Sequence, residues 1–164
     1  MIPSLSTYGS YQRDLGYAGE LVDQNTYEAE SLLNDQAVAI PFGGVVARSA
    51  ADNTCKAPAA DADKIIGIAL RHAIMPTLGA SVGGTNTVQY AQNMEVPVLR
   101  QGFVYIAAAE NVTRGDQALS LTASNGTIGG VTGGVAGAGR VVIPNASWET
   151  TTAAGSIGIV RINN

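Results

Sequence analysis

Apolar positions in this chain fall in short, bounded runs from about residue 27 onward, and none of them sustains the 3.6-residue period of a helix. Residues 27–32 alternate apolar and polar, the mark of a half-buried strand. Asn25 and Glu28 also fit a helical capping box, so a short helix over 26–34 is the alternative there. Residues 38–42 run through Gly43-Gly44 into 45–48, giving two short strands or one bent strand with a bulge. Residues 49–63 read as a loop, and 65–71 as the most apolar and therefore central strand. A glycine-containing loop over 77–86 leads to strands at 88–90 and 94–99. Gln101-Gly102 then reads as a hairpin turn into 103–106, with Pro97 placing its strand at an edge or a bulge. Residues 112–116 form a turn before a strand at 117–121, and Asn125-Gly126 is a tight-turn dipeptide. A small-residue loop over 129–139 separates these from closing strands at 140–143 and 158–162. The expected fold is all-β: a small β-barrel or sandwich-like domain over 26–164, behind an extended N-terminal arm over 1–25.

The arm is polar and has no strand or helix period, yet it carries Tyr8, Tyr11 and Tyr17, half of the six tyrosines in the chain. Disordered tails are poor in aromatics, whereas tyrosine is enriched where a segment docks on another protein. Tyr8, Tyr11, Arg13 and Tyr17 are therefore the candidate contact residues. The alternative is a terminus that folds back on its own domain.

Composition sharpens this picture. Hydrophobic residues make up 46% of the 164, but aromatics only 5%, with Trp148 the single tryptophan and Phe42 and Phe103 the only phenylalanines. Much of the apolar fraction is alanine and valine, and 20 glycines add chain entropy that folding must overcome. A core built this way favours a subunit that buries further surface in a homo-oligomer, a trimer being expected over a dimer. Net charge is −4, with the nine Lys and Arg residues scattered, so no basic patch argues for a nucleic-acid partner. The opening Met1-Ile2-Pro3-Ser4 lacks the parts of a secretory signal and no apolar run approaches a membrane span; a cytoplasmically made chain with no membrane partner is expected.

No motif assembles chemistry. The glycine run 129–139 lacks the Gly-Lys-Ser/Thr ending and following helix of a phosphate loop, since Arg140 opens an apolar strand. His72 is the only histidine and Cys55 the only cysteine, too few for a catalytic triad or the usual zinc set. Asp52, Asp61 and Asp63 are a scatter of loop carboxylates. Arg114-Gly115-Asp116 matches an adhesion tripeptide but occupies a turn where Gly and Asp have conformational reasons to be. No catalytic, cofactor-binding or metal-ligating residue is predicted, and no cofactor.

The order of these features resembles the structural cement proteins of tailed bacteriophages. The segment 16–23 is similar to that family's short opening segment before the first strand. Ile40-Pro41-Phe42-Gly43 followed by Val45-Val46 is similar to its Phe-Gly-x-Val strand, and Ile65-Ile66-Gly67-Ile68 to its apolar Gly-Ile strand. Tyr90, residues 96–99 and Gly102-Phe103-Val104-Tyr105 resemble its central hairpin, 112–116 its Gly-Asp turn, and 153–162 its closing strand. The first 15 residues and the loop 129–139 depart from the pattern. The resemblance implies a non-enzymatic capsid decoration protein, made in the host bacterial cytoplasm, that binds the outside of the expanded head where major capsid protein subunits meet and stabilises it against internal DNA pressure. The alternatives are another phage structural part (a head fibre base, tail or adhesin module) or a trimeric β-fold enzyme, for which the C-terminal residues 156–164 offer no nucleotide-binding motif.

Overall fold

The computed structural model describes residues 16–71, 89–125 and 127–163. It is all-β. Eleven strands follow in order: β1 (Glu28–Asn34), β2 (Ile40–Pro41), β3 (Val45–Arg48), β4 (Thr54–Lys56), β5 (Ile65–Ala69), β6 (Gln89–Tyr90), β7 (Glu95–Ala107), β8 (Gln117–Leu121), β9 (Val131–Gly133), β10 (Arg140–Trp148) and β11 (Ile157–Ile162). The one helical element among the described residues is a 3-10 turn at Ala123–Asn125.

Strands β1, β4, β3, β5 and β7 pair in that order, and β7 pairs back to β1, closing a five-stranded barrel. The sheet continues from β7 through β11, β10 and β8 to β9. Its far edge is not left open. Val131 forms a parallel bridge with Ala108, just beyond β7; its carbonyl accepts the Ala109 N–H at 2.8 Å, and the Thr132 carbonyl accepts Trp148 Nε1–H at 2.9 Å. Unpaired strand edges invite pairing with other chains, and closure removes them.

The 13-residue β7 therefore belongs to both halves. Its first part pairs with β1 and β5, its second with β11. The hairpin expected at Gln101-Gly102 is not formed: the strand runs straight through. Gly102 has φ 132°, and a Cβ there would lie 3.0 Å from Tyr27 Cβ, so glycine serves a change of sheet, not a reversal of chain. Pro97 sits inside the same strand; its carbonyl accepts Leu70 N–H just past the end of β5, where a ladder donor is no longer required.

Two apolar clusters result. One fills the barrel: Leu32, Val46, Cys55, Ile66, Val96 and Val98, closed at one end by Ile40 and Tyr90 of the small β2–β6 sheet. The other lies between the barrel wall and the curved sheet, and includes Val45, Ile68, Leu99, Val104, Ile143, Trp148 and Val160. Strands β3, β5 and β7 supply alternate residues to each, so β5 is buried along its whole length. That is why 65–69 reads as a continuous apolar run and not as an alternation.

Three further expectations are corrected. The stretch 49–63 is not wholly loop, because Thr54–Lys56 forms β4, parallel to β1. The stretch 129–139 contains β9, and the closing strand from Arg140 extends to Trp148. The alternative helix is not formed, and the strand expected from residue 27 is, over Glu28–Asn34. Asn34 within it is fully buried, its amide donating to the Val38 and Tyr90 carbonyls, and its Oδ1 accepting Gln36 N–H.

Candidate docking surface

Residues 19–22 lie along the second half of β7 like an added strand. Leu21 bridges Val104; Gly19 N–H donates to Tyr105 O, Val22 N–H to Phe103 O, and Tyr105 N–H to Glu20 O. The turn that leads into this ladder is held by Glu20 N–H on Tyr17 O and by Tyr17 N–H on the Glu20 carboxylate, both at 2.9 Å. Gly19 completes it at φ 81°; a Cβ there would meet the backbone of Gly43 and Arg71 at 2.8 and 2.9 Å.

This turn holds Tyr17 at the surface, 54% exposed, with the Arg71 guanidinium carbon 4.6 Å from its ring centroid. Arg71 also lies 5.9 Å from the Phe42 ring. Such stacking at an exposed site contributes about 0.5–1 kcal/mol, enough to orient a ring without burying it. A shallow hollow beside the pair is walled by Gly19, Leu21, Gln24 and Leu70. Farther along, Val22 and Tyr27 are exposed as well, so the outer face of residues 17–27 carries three large apolar groups in water. The sequence singled out Tyr17 but not its partner Arg71 nor Val22. Tyr8, Tyr11 and Arg13, and also His72, lie outside the described residues.

The groups weighed for chemistry have structural occupations. Cys55 is buried in β4, not in a polar loop, and burial first, then the negative charges of Asp35 and Glu30, push its thiol up to about 11. Asp116 accepts the Thr113 N–H at 2.8 Å, closing the turn that contains Arg114 and Gly115. Asp63 pairs with Lys56 Nζ at 2.6 Å. Asp61 accepts Thr122 Oγ1–H at 2.6 Å and Gly139 N–H at 3.1 Å, fastening the β4–β5 loop to the curved sheet.

These carboxylates set an acid limit. The Thr122 hydroxyl first, then Gly139 N–H, hold Asp61 below its ordinary value of 3.8. Asp35 is lowered chiefly by the Ser49 hydroxyl. For Asp63 burial alone would raise the value, but the Lys56 ammonium and the Ala60 and Ala59 N–H groups outweigh it. A folded-state value below the unfolded one gives stability that is present above about pH 4 and lost as pH falls through the folded value. Melting temperature is expected to stay level from about pH 8 to 5 and to decline below about pH 4. Asp61→Asn should melt below the parent near pH 7 and converge with it near pH 2; a gap that persists in acid would remove the ionised carboxylate from the explanation.

As a class, this is an all-β barrel protein, and among its described residues the two exposed aromatic groups, Tyr17 and Tyr27, flank the 19–22 segment that pairs with β7. The chain belongs to the structural cement protein family (E217 gp24/Pam3 gp6), whose sequence profile matches residues 5–163. Membership makes it a structural component of the phage virion, associated with the capsid. A chain in the solved structure "The capsid of Myoviridae Phage XM1" shares the fold at a TM-score of 0.67 and 19% identity, over 90% of each chain. No curated protein matches the chain.

Proposed function

We propose that this protein cements the outer surface of the expanded head, binding where major capsid protein subunits meet and bracing the shell against the pressure of packaged DNA. It does so without catalysis, without a nucleic-acid or membrane partner, and as a homo-oligomer, a trimer over a dimer. The observation that carries the reading is the family match over 5–163, which takes in most of the N-terminal segment as well as the barrel.

In this reading residues 1–25 are the arm and 26–164 the cement domain. The arm is rooted on β7 by the 19–22 ladder and points its contact residues, Tyr8, Tyr11, Arg13 and Tyr17, at the shell. Ordering a free arm costs roughly 1–2 kcal/mol per residue, so rooting its base on the domain lowers the loss on binding. Tyrosine anchors and strand addition to a shell protein offset the remainder. Repetition of the subunit about a symmetry axis multiplies the effect through effective concentration.

The test is a truncation that stops short of Gly16, which packs so closely on the Tyr105 ring that a Cβ would come within 2.0 Å. Removing residues 2–15 should leave melting unchanged and weaken binding to particles assembled without the protein by about thirtyfold or more, the loss of one hot-spot tyrosine at about 2 kcal/mol. Unchanged affinity refutes the arm; lowered melting would return these tyrosines to the protein's own core.

A further inference from the structure

On the side of the barrel that faces the curved sheet lies a cleft of about 390 Å³. One wall is β1, the end of β3 and the start of β5; the other is Ile143, Pro144 and Asn145 of β10, with Ile162 and Asn163 at its end. Arg48, Lys64 and Arg100 all line it, three of the nine cations in the chain. They share the cleft with two carboxylates, Glu28 and Glu30. The cleft therefore carries one net positive charge in a chain whose total is −4.

Both guanidiniums turn to the same acceptor. Arg48 Nη2 lies 3.8 Å from Glu30 Oε1, and Arg100 Nη1 hydrogen-bonds that oxygen. A guanidinium has five N–H donors, so each arginine retains donors directed elsewhere. Lys64 is exposed and has no acidic partner among the described residues. Side-chain exposures of 40% for Arg48 and 38% for Arg100 leave both within reach of a ligand.

The backbone gives a second, independent sign. Among the described strands the pairing slips at three places: between Glu28 and Ala29, between Val46 and Ala47, and between Val142 and Ser147. The first and third carry residues of the cleft wall, and the second immediately precedes Arg48. Bulges interrupt the ladder and re-aim side chains, and they concentrate beside binding sites. The two in β1 and β3 also serve to curve the barrel. The one in β10 lies outside the barrel, and at its centre Asn145 takes φ 53°, a conformation that few side chains adopt.

We propose that this cleft receives an acidic, extended segment of the shell protein, a carboxylate that sits between Lys64 and the unused N–H groups of Arg48 and Arg100. The apolar neighbour of that carboxylate rests on Pro144, the exposed apolar residue of the far wall. Glu30 draws the two guanidiniums to one oxygen and pre-orients them; charge-assisted bonds from their other N–H groups then fix the direction of the bound chain. A nucleic-acid duplex fits poorly, because a cleft of this volume holds a few side chains, and three cations beside two carboxylates neutralise too few phosphates. The inference rests on the cement reading, since it takes the shell as the partner.

The experiment measures binding of the full chain to particles assembled without it. Lys64→Glu should keep the parent's melting temperature and weaken binding at least tenfold, with Lys64→Gln between the two. Arg114→Glu, the same charge change at an exposed turn, should bind as the parent does. Equal binding by Lys64→Glu overturns the inference and leaves the cement reading intact, whereas a parent chain that does not bind particles sinks both. Equal weakening by Arg114→Glu reduces the effect to overall charge and also overturns it. A Lys64-dependent retention of a short DNA duplex, or a loss of self-association with unchanged particle binding, would assign the cleft to another occupant and overturn it as well.

Discussion

Replacing Gly67 by alanine is expected to be among the most damaging single changes this chain can suffer, although it adds one methyl group. A Cβ at that position would lie 2.1 Å from the Leu99 carbonyl oxygen and 2.8 Å from Val98 Cγ1. Both belong to β7, the strand shared by the two halves, and Ile68 beside Gly67 is in register with Leu99. A flexible side chain could swing away; a backbone carbonyl in the middle of a ladder cannot. Overpacking of a core ordinarily costs 1–3 kcal/mol, and a clash with fixed backbone belongs at or above the top of that range, about 3 kcal/mol or more. The contrasting change is Gly137→Ala in the β9–β10 loop, where a Cβ meets nothing within 4 Å. That variant should melt at or slightly above the parent temperature, because alanine reduces the entropy of the unfolded chain. Thermal melts of the two variants side by side check both. Similar melting would show that β5 can retreat from β7 and that the close approach is not structural.

The same contrast explains what could be read along the chain. Strands β5, β8 and β11 coincide with bounded apolar runs, because there burial and local sequence agree. Gln101-Gly102 looks like a turn by every local rule. Only crowding by Tyr27, far away in sequence, turns that glycine into a point where a continuous strand changes sheets. Strands β4 and β9 are short and poor in apolar residues, and they exist through pairing across intervening loops, β4 with β3 and β1 and β9 with β8. The candidate docking surface was legible in part for a related reason. Tyr17 stands out by composition, but the Arg71 that orients its ring has no local signature. Charge behaves likewise. Arg48, Lys64 and Arg100 are scattered in sequence, and barrel closure through β1–β7 brings them to one cleft.

Trp148→Ala should remove about 3–5 kcal/mol, the usual range for deleting a buried large aromatic side chain and a substantial part of the 5–15 kcal/mol that holds a domain together. Trp148 is 1% exposed in a chain with few aromatic anchors, and it joins three strands. Its backbone pairs with Val160 of β11, its indole N–H donates to Thr132 O of β9, and its own strand is β10. Truncation therefore leaves a cavity and removes the indole hydrogen bond to Thr132 O. Trp148→Phe separates the two effects: it keeps most of the volume but not the donor, and it should lose about 1 kcal/mol, mainly for the lost hydrogen bond to Thr132 O. The manner of unfolding is the sharper test. Trp148 belongs to the curved sheet, but β7 carries that sheet and the barrel on one continuous backbone, and the inter-sheet cluster takes Val45, Ile65 and Ile68 from the barrel wall. Weakening the curved sheet should thus weaken the barrel with it. In the parent, tryptophan fluorescence, which reports the curved sheet, and far-ultraviolet dichroism, which reports both halves, should follow one coincident transition. In Trp148→Ala the dichroism should still show a single transition, shifted to lower denaturant. Two separated transitions in the variant, with the barrel melting near the parent midpoint, would show that the halves are independent and that β7 does not couple them.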